Sequence, residues 1–281
     1  MRAMTARTPR LLFAALAFGY AFLYVPILSV IVYSFNESRL VTVWGGFSFK
    51  WWGELLRNET MLDSALLSFQ IALVNACAAT VLGTMAGFAL ARYPRFAGRT
   101  AFSGLIAAPL VMPEVIMGIA TLLLFVALDQ ALGWPERGFT TITIAHITFS
   151  TAYVAVVIQS RLADFDRSLE EAAMDLGARP FTVFRTITLP LIAPALVSGW
   201  LLAFTLSMDD LILTQFVAGP QSQTLPMLVY SSVRLGVSPQ INVLATIIVT
   251  VAATAIVVAG WMMQRAHRRR ERDAQAAASV T

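Results

Sequence analysis

The chain has 281 residues, of which 58% are hydrophobic and only 13% charged, with a formal net charge of +4. A soluble domain of this length carries about a quarter charged residues, whereas apolar runs near or above ~20 residues recur here and mark an integral membrane protein. One cysteine, Cys77, rules out a disulfide framework or a cysteine-built metal cluster.

The segment 1–10 is basic, and the apolar run after it is about 25 residues, too long for a signal-peptide core and without a small-residue cleavage site. It reads as an uncleaved first span at 11–35. In "GGFSFKWWGELL", Trp51 and Trp52 stand beside Lys50, the composition of an interfacial aromatic anchor. A second span at 64–91 carries Gly83-x-x-x-Gly87, a spacing that lets helices approach closely. A third at 101–128 contains Pro109, Pro113 and Glu114. The fourth, at 139–160, sets His146, Ser150 and Tyr153 on one face, where the histidine suits an interhelical hydrogen bond. The fifth, at 191–217, carries Asp209 and Asp210, and the sixth runs over 242–263. The tail 264–281, with "RAHRRRER", reads as a stop-transfer anchor touching anionic lipid rather than nucleic acid.

All Lys and Arg fall on one side of these spans except Arg39, Lys50, Arg57, Arg137 and Arg234. The rich side is expected to be cytoplasmic. The fold class is therefore all-α: six transmembrane helices with both termini cytoplasmic, comprising an N-terminal segment 1–10, a membrane domain 11–263 and a basic tail 264–281.

The one long inner loop, 164–190, reads "DFDRSLEEAAMDLGARPFTVFRTITLP". Ser168-x-x-Glu171 has the pattern of a capping box opening a short helix. Gly177 supplies a left-handed stop, and Pro180 suits the start of the next helix. Its exposed side chains mix Asp166, Arg167, Glu170, Glu171, Asp175 and Arg179 with Leu169, Met174, Leu176 and Phe181. A plain connector needs no such capped, part-apolar knob, and one that docks into a partner's groove explains it.

Glu171-Ala172-Ala173, Gly177, Ile187 and Leu189-Pro190 resemble the EAA motif of ABC importer permease subunits in every element. Over roughly residues 12–265, runs such as "YSFN", "APLVMPEVIMG" and "SMDDLILTQFVAGPQSQTLPMLVYSSVRLGVSP" are similar to the spermidine/putrescine permeases, and "LVTVWGGFSFKWWGELL" leans towards the putrescine branch. The resemblance implies a type I ABC importer permease fold in the bacterial inner membrane, with a cytoplasmic coupling helix. It implies ATPase coupling through Ser168, Glu170, Glu171, Ala172, Ala173, Asp175, Gly177, Leu189 and Pro190. The partners it implies are a second homologous permease, two ATPase subunits that bind ATP and magnesium, and an extracytoplasmic polyamine-binding protein. No cofactor is implied for this chain.

Independently, no G-x-x-x-x-G-K-[ST] loop, G-x-S-x-G elbow, H-E-x-x-H helix or C-x-x-C pair occurs, so an enzyme reading has little to stand on. The informative residues are the intramembrane acids Glu114, Asp209 and Asp210, which no Lys or Arg inside a span can neutralise. They are protonated, paired with a neighbouring subunit, open to a watery cavity, or meant for a mobile cation. At about 1.5 Å per residue, Glu114 lies roughly 20 Å along its span and the aspartates on the order of 27 Å along theirs. Asp210 shares a stripe with Ser207 and Thr214 and is expected to face the pathway, with Asp209 as a structural, hydrogen-bonding partner. The expected function is uptake of a polyamine, most simply putrescine, as the permease subunit of an ATP-driven importer. The competing reading is an ion-coupled carrier or channel for organic cations that works without an ATPase and leaves the 164–190 knob idle.

Overall fold

The computed structural model describes residues 8–41, 43–235, 238–254 and the single positions 257, 261 and 265. The described residues form two compact units, one from the segments up to Glu59 and from Ser232 onward, the other over Thr60–Ser231.

In the first unit, α1 (Thr8–Tyr33) is apolar on every side and exposed along its length. No core in its own unit selects one face, so lipid or another subunit must cover it. Beyond α1, Asn36 is buried and ties a loop together, its amide nitrogen donating to Val43 O at 2.8 Å and its oxygen accepting from the amides of Ser38 and Gly45. Next comes α2 (Lys50–Leu55). Trp51 is buried there, whereas Trp52 is partly covered, stacks on Phe35 and donates to Ser34 O. An apolar helix over Pro239–Thr254, numbered α12 below, covers the start of the expected sixth span. The remainder of that span and the basic tail lie outside the described residues.

The second unit contains α3 (Glu59–Arg92, with its first residue in the other unit), α4 (Arg99–Val111), α5 (Glu114–Leu132), α6 (Phe139–Ala163), α7 (Ser168–Asp175), α8 (Pro180–Val183), α9 (Leu189–Met208), α10 (Ile212–Val217) and α11, which starts at Leu225 and ends at Leu235. Its core is two apolar clusters along α3 and α6. One joins Ala76 and Ala79 to Val154 and Ile158 and to Ile192 and Ala203 of α9. The other joins Ile71 and Phe149 to Phe125 of α5 and to Leu213 and Val217 of α10. The small-residue seam foreseen in α3 is real. A Cβ at Gly83 would stand 2.6 Å from Val154 Cβ, and one at Gly87 would stand 2.6 Å from Ala155 O, so only bare backbone permits this approach.

Two of the expected spans are not continuous. The third breaks at Met112–Pro113, where the residue before proline takes the extended conformation that the proline ring imposes (φ −77, ψ 137). The fifth breaks after Met208 and resumes at Ile212. Below that break the helical run begins earlier than expected, covering Pro180–Met208 through a π turn at Phe184–Thr188. The ring of Pro190 would collide with the carbonyl four residues back, at Thr186, and the wider turn relieves it.

Candidate functional site

The knob is built as the spacing foretold at its end and differently at its start. Gly177 sits at φ +86, its amide donates to Met174 O, and the Ala178 amide donates to Ala173 O at 3.0 Å. That pair of bonds is a Schellman stop, and it favours glycine because a Cβ is strained at this φ. Pro180 opens α8 as expected. The capping box does not form: α7 starts one residue earlier, with Arg167 at the cap position. The Asp166 carboxylate accepts from the Ser168 amide at 2.9 Å instead, and that bond holds the acid below its ordinary pKa. Asp166 thereby takes the amide that the Glu171 carboxylate would hold in a capping box.

Among the coupling candidates, Ser168, Glu171, Ala172, Asp175 and Gly177 are exposed, Ala173 is partly covered, and Leu189 and Pro190 begin α9. Leu176 and Phe181 are 91% and 74% exposed. Two large apolar side chains are thus held open on either side of the Gly177 turn. Glu170 alone of the set turns back into its own chain, towards Arg92 at the end of α3.

The acids collect at the two helix breaks. Glu114 is the first residue of α5, exposed, directly after Pro113. Asp209 lies in the other break and is exposed, while Asp210 beside it has 11% of its side chain exposed. Asp210 is heavily engaged: it accepts the Thr214 amide at 2.7 Å, the Thr214 hydroxyl at 2.6 Å and the Leu213 amide at 3.3 Å, so it caps α10. His146 of α6, 3% exposed, brings Nε2 to 3.2 Å from the same carboxylate and 2.9 Å from Thr214 Oγ1, and Nδ1 to 2.7 Å from Ser207 Oγ. The Thr214 proton points at Asp210, so the threonine oxygen is left to accept and Nε2 carries the ring proton. In the neutral ring, Nδ1 then accepts from Ser207. One imidazole thus staples both flanks of the break. The hydrogen bonds expected of Asp209 are made by Asp210 instead, and Asp209 is the exposed carboxylate.

Beneath this node, buried Asn75 of α3 donates to Ser150 Oγ at 3.0 Å and to Ala203 O at 2.8 Å, crossing to α6 and α9. Phe216 lays its ring against Gly118 and joins α10 to α5. Among the described residues no cluster of three His, Cys, Asp or Glu could hold a metal ion.

Electrostatically, each break offers the carbonyl end of one half-helix (α4, α9) beside a carboxylate. Each carbonyl end faces the amide end of the next half-helix (α5, α10), where Glu114 and Asp210 lie.

Residues 79–272 match the family described as binding-protein-dependent transport system inner membrane component. Over 263 residues the chain is 57% identical to the putrescine transport system permease protein PotI of Escherichia coli K12, covering 93% of this chain and 94% of that one. It is 43% identical over 246 residues to the spermidine/putrescine transport system permease protein PotC of the same organism, covering 88% and 90%. Among solved structures, a bacterial ABC transporter that imports alginate superposes with a TM-score of 0.60 at 20% identity, over 94% of this chain and 99% of that one. The alginate transporter in complex with its pentasaccharide-bound periplasmic protein gives 0.66 at 16% identity, over 89% and 91%. These two share the fold. The chain therefore belongs to the binding-protein-dependent transport system inner membrane components and is a multi-pass permease subunit of an ABC importer.

Proposed function

We propose that this permease carries a polyamine, most simply putrescine, into the cytoplasm. What carries the reading is the pair of broken spans, each presenting a half-helix carbonyl end and an open carboxylate, Glu114 or Asp209. The high identity to PotI supports the same choice of cargo. A diamine bears two positive charges at neutral pH because amine pKa values lie near 10, so two separated acids replace its water in steps. Asp210, held by His146 and Thr214, fixes the break that presents Asp209.

In this reading the Arg-rich side and both termini are cytoplasmic, and an extracytoplasmic binding protein delivers the cation. A second homologous permease completes the pathway, and two ATPase subunits bind ATP and magnesium. ATP-driven closure of the ATPases, pressing on Leu176, Phe181 and Glu171, tilts the spans from inward- to outward-facing. No cofactor is needed in this chain.

The test is uptake of labelled putrescine by the reconstituted complex. Import should stop on ATP depletion even under an imposed ion gradient. Glu114→Gln and Asp209→Asn should lose import while the complex assembles normally. Wild-type import by both variants at equal expression would defeat the cation-path reading.

A further inference from the structure

Arg92 closes α3, and its guanidinium serves three elements at once. One terminal nitrogen donates to Leu162 O near the end of α6 at 3.2 Å, the other donates to Glu170 Oε1 at 3.0 Å, and Nε lies 3.0 Å from Glu170 Oε2. The Thr188 hydroxyl, at the last position of the π turn leading into α9, donates to the same Oε1 at 2.6 Å. The Phe165 ring stands 5.7 Å from the guanidinium carbon, and Arg167 donates to Ala91 O at 2.6 Å. The two charged side chains are 9% and 12% exposed, whereas no residue of α7 is buried. A polar clamp, not an apolar seam, therefore fastens the knob.

Resting on the reading of α7 as the ATPase-facing knob, we propose that Arg92, Glu170 and Thr188 are positioning residues. They form a transmission joint that makes α7 move as one body with the ends of α3, α6 and α9. A knob on two short connectors would otherwise absorb the partner's stroke by swinging on them. The clamp resists this because parting a nearly buried ion pair leaves each charge uncompensated. Its three bonds reach three different spans, so a push on the exposed face of α7 is delivered to all of them together. Glu170 then acts on transport without touching the ATPase.

The complex reconstituted in proteoliposomes separates docking from transmission. Glu170→Gln, Arg92→Gln, the double variant and Thr188→Val are compared for ATPase copurification, ATP hydrolysis and cations imported per ATP. The single charge variants should copurify ATPase as the wild type does and keep hydrolysing. Their import per ATP should fall about 2–30-fold, the range over which single residues alter coupling between sites. The double variant should lose no more than the worse single one, because the two act as a pair. If Glu170→Gln does not assemble, Thr188→Val, which leaves both charges in place, should still show a smaller loss of the same kind. Unchanged import per ATP at equal ATPase capture, or single losses that multiply in the double variant, overturns the joint. Failure of the wild-type chain to capture any ATPase overturns the functional reading and the joint with it.

Discussion

Gly83→Ala tests the helix seam on which the second unit is built. The added methyl would lie 2.6 Å from Val154 Cβ, 2.7 Å from its Cγ1 and 3.0 Å from the Ala155 amide nitrogen. Carbon atoms settle at about 3.5–4.0 Å, so α3 and α6 must part by roughly 1 Å or Val154 must retreat. Retreat is hindered, because Val154 is fully buried and packs so near the bare backbone of Gly199 in α9 that a Cβ there would stand 3.2 Å from its Cγ1. Overpacking of this kind costs about 1–3 kcal/mol, and with both escape routes hindered the upper half of that range applies. The control is Gly104→Ala in α4, whose new methyl meets nothing within 4 Å and gains helix propensity of about 1 kcal/mol. Both are read by unfolding the purified protein in mixed micelles and following tryptophan fluorescence. Gly83→Ala within about 0.5 kcal/mol of Gly104→Ala would refute the seam, since surface substitutions scatter by that much.

His146→Leu removes three side-chain contacts across the α9–α10 break, and at the modest strength of hydrogen bonds inside membranes should cost about 2–3 kcal/mol in the same unfolding assay. Ser207→Ala, losing one contact, should cost about a third of that. Gly177→Ala forces a side chain into a left-handed turn at about 1–2 kcal/mol; it and Glu171→Gln should lower import per ATP, and full coupling in both would count against the knob. Asp166 titrates below the ordinary carboxylate value of about 3.9. Its hydrogen bond therefore supports α7 fully above that value and is lost as pH falls through the lower folded one. The protection of the Ser168 amide, the slowing of its exchange relative to the unstructured peptide at the same pH, should be flat from about pH 8 to 5 and fall only below about pH 4, and Asp166→Asn should abolish the dependence.

The spans, the Gly83–Gly87 seam, the Gly177 stop and the Pro180 start were legible because each rests on a local rule: length, residue size or a required φ. The helix breaks were not, because hydropathy runs through them unchanged. Pro113 did signal the first, through its effect on Met112. The second has neither Pro nor Gly; its sign was Asp210 three and four residues before Leu213 and Thr214, the spacing of a cap. Weighing the aspartates only as charges in hydrocarbon hid that role. Glu170 and Arg92 are separated by 78 positions in the chain, so no local pattern could show that the carboxylate turns inward. The nearby EAA motif drew it into the docking set.

The π turn at Phe184–Thr188 is wider than a normal turn by one residue per hydrogen-bonded loop. Residues along a helix advance by about 100° each. Deleting one residue there would return the turn to ordinary α-helical width and shorten the spacing from Gly177 to Leu189-Pro190 by one. The π turn thus takes up one residue more than an α turn would between the knob and α9.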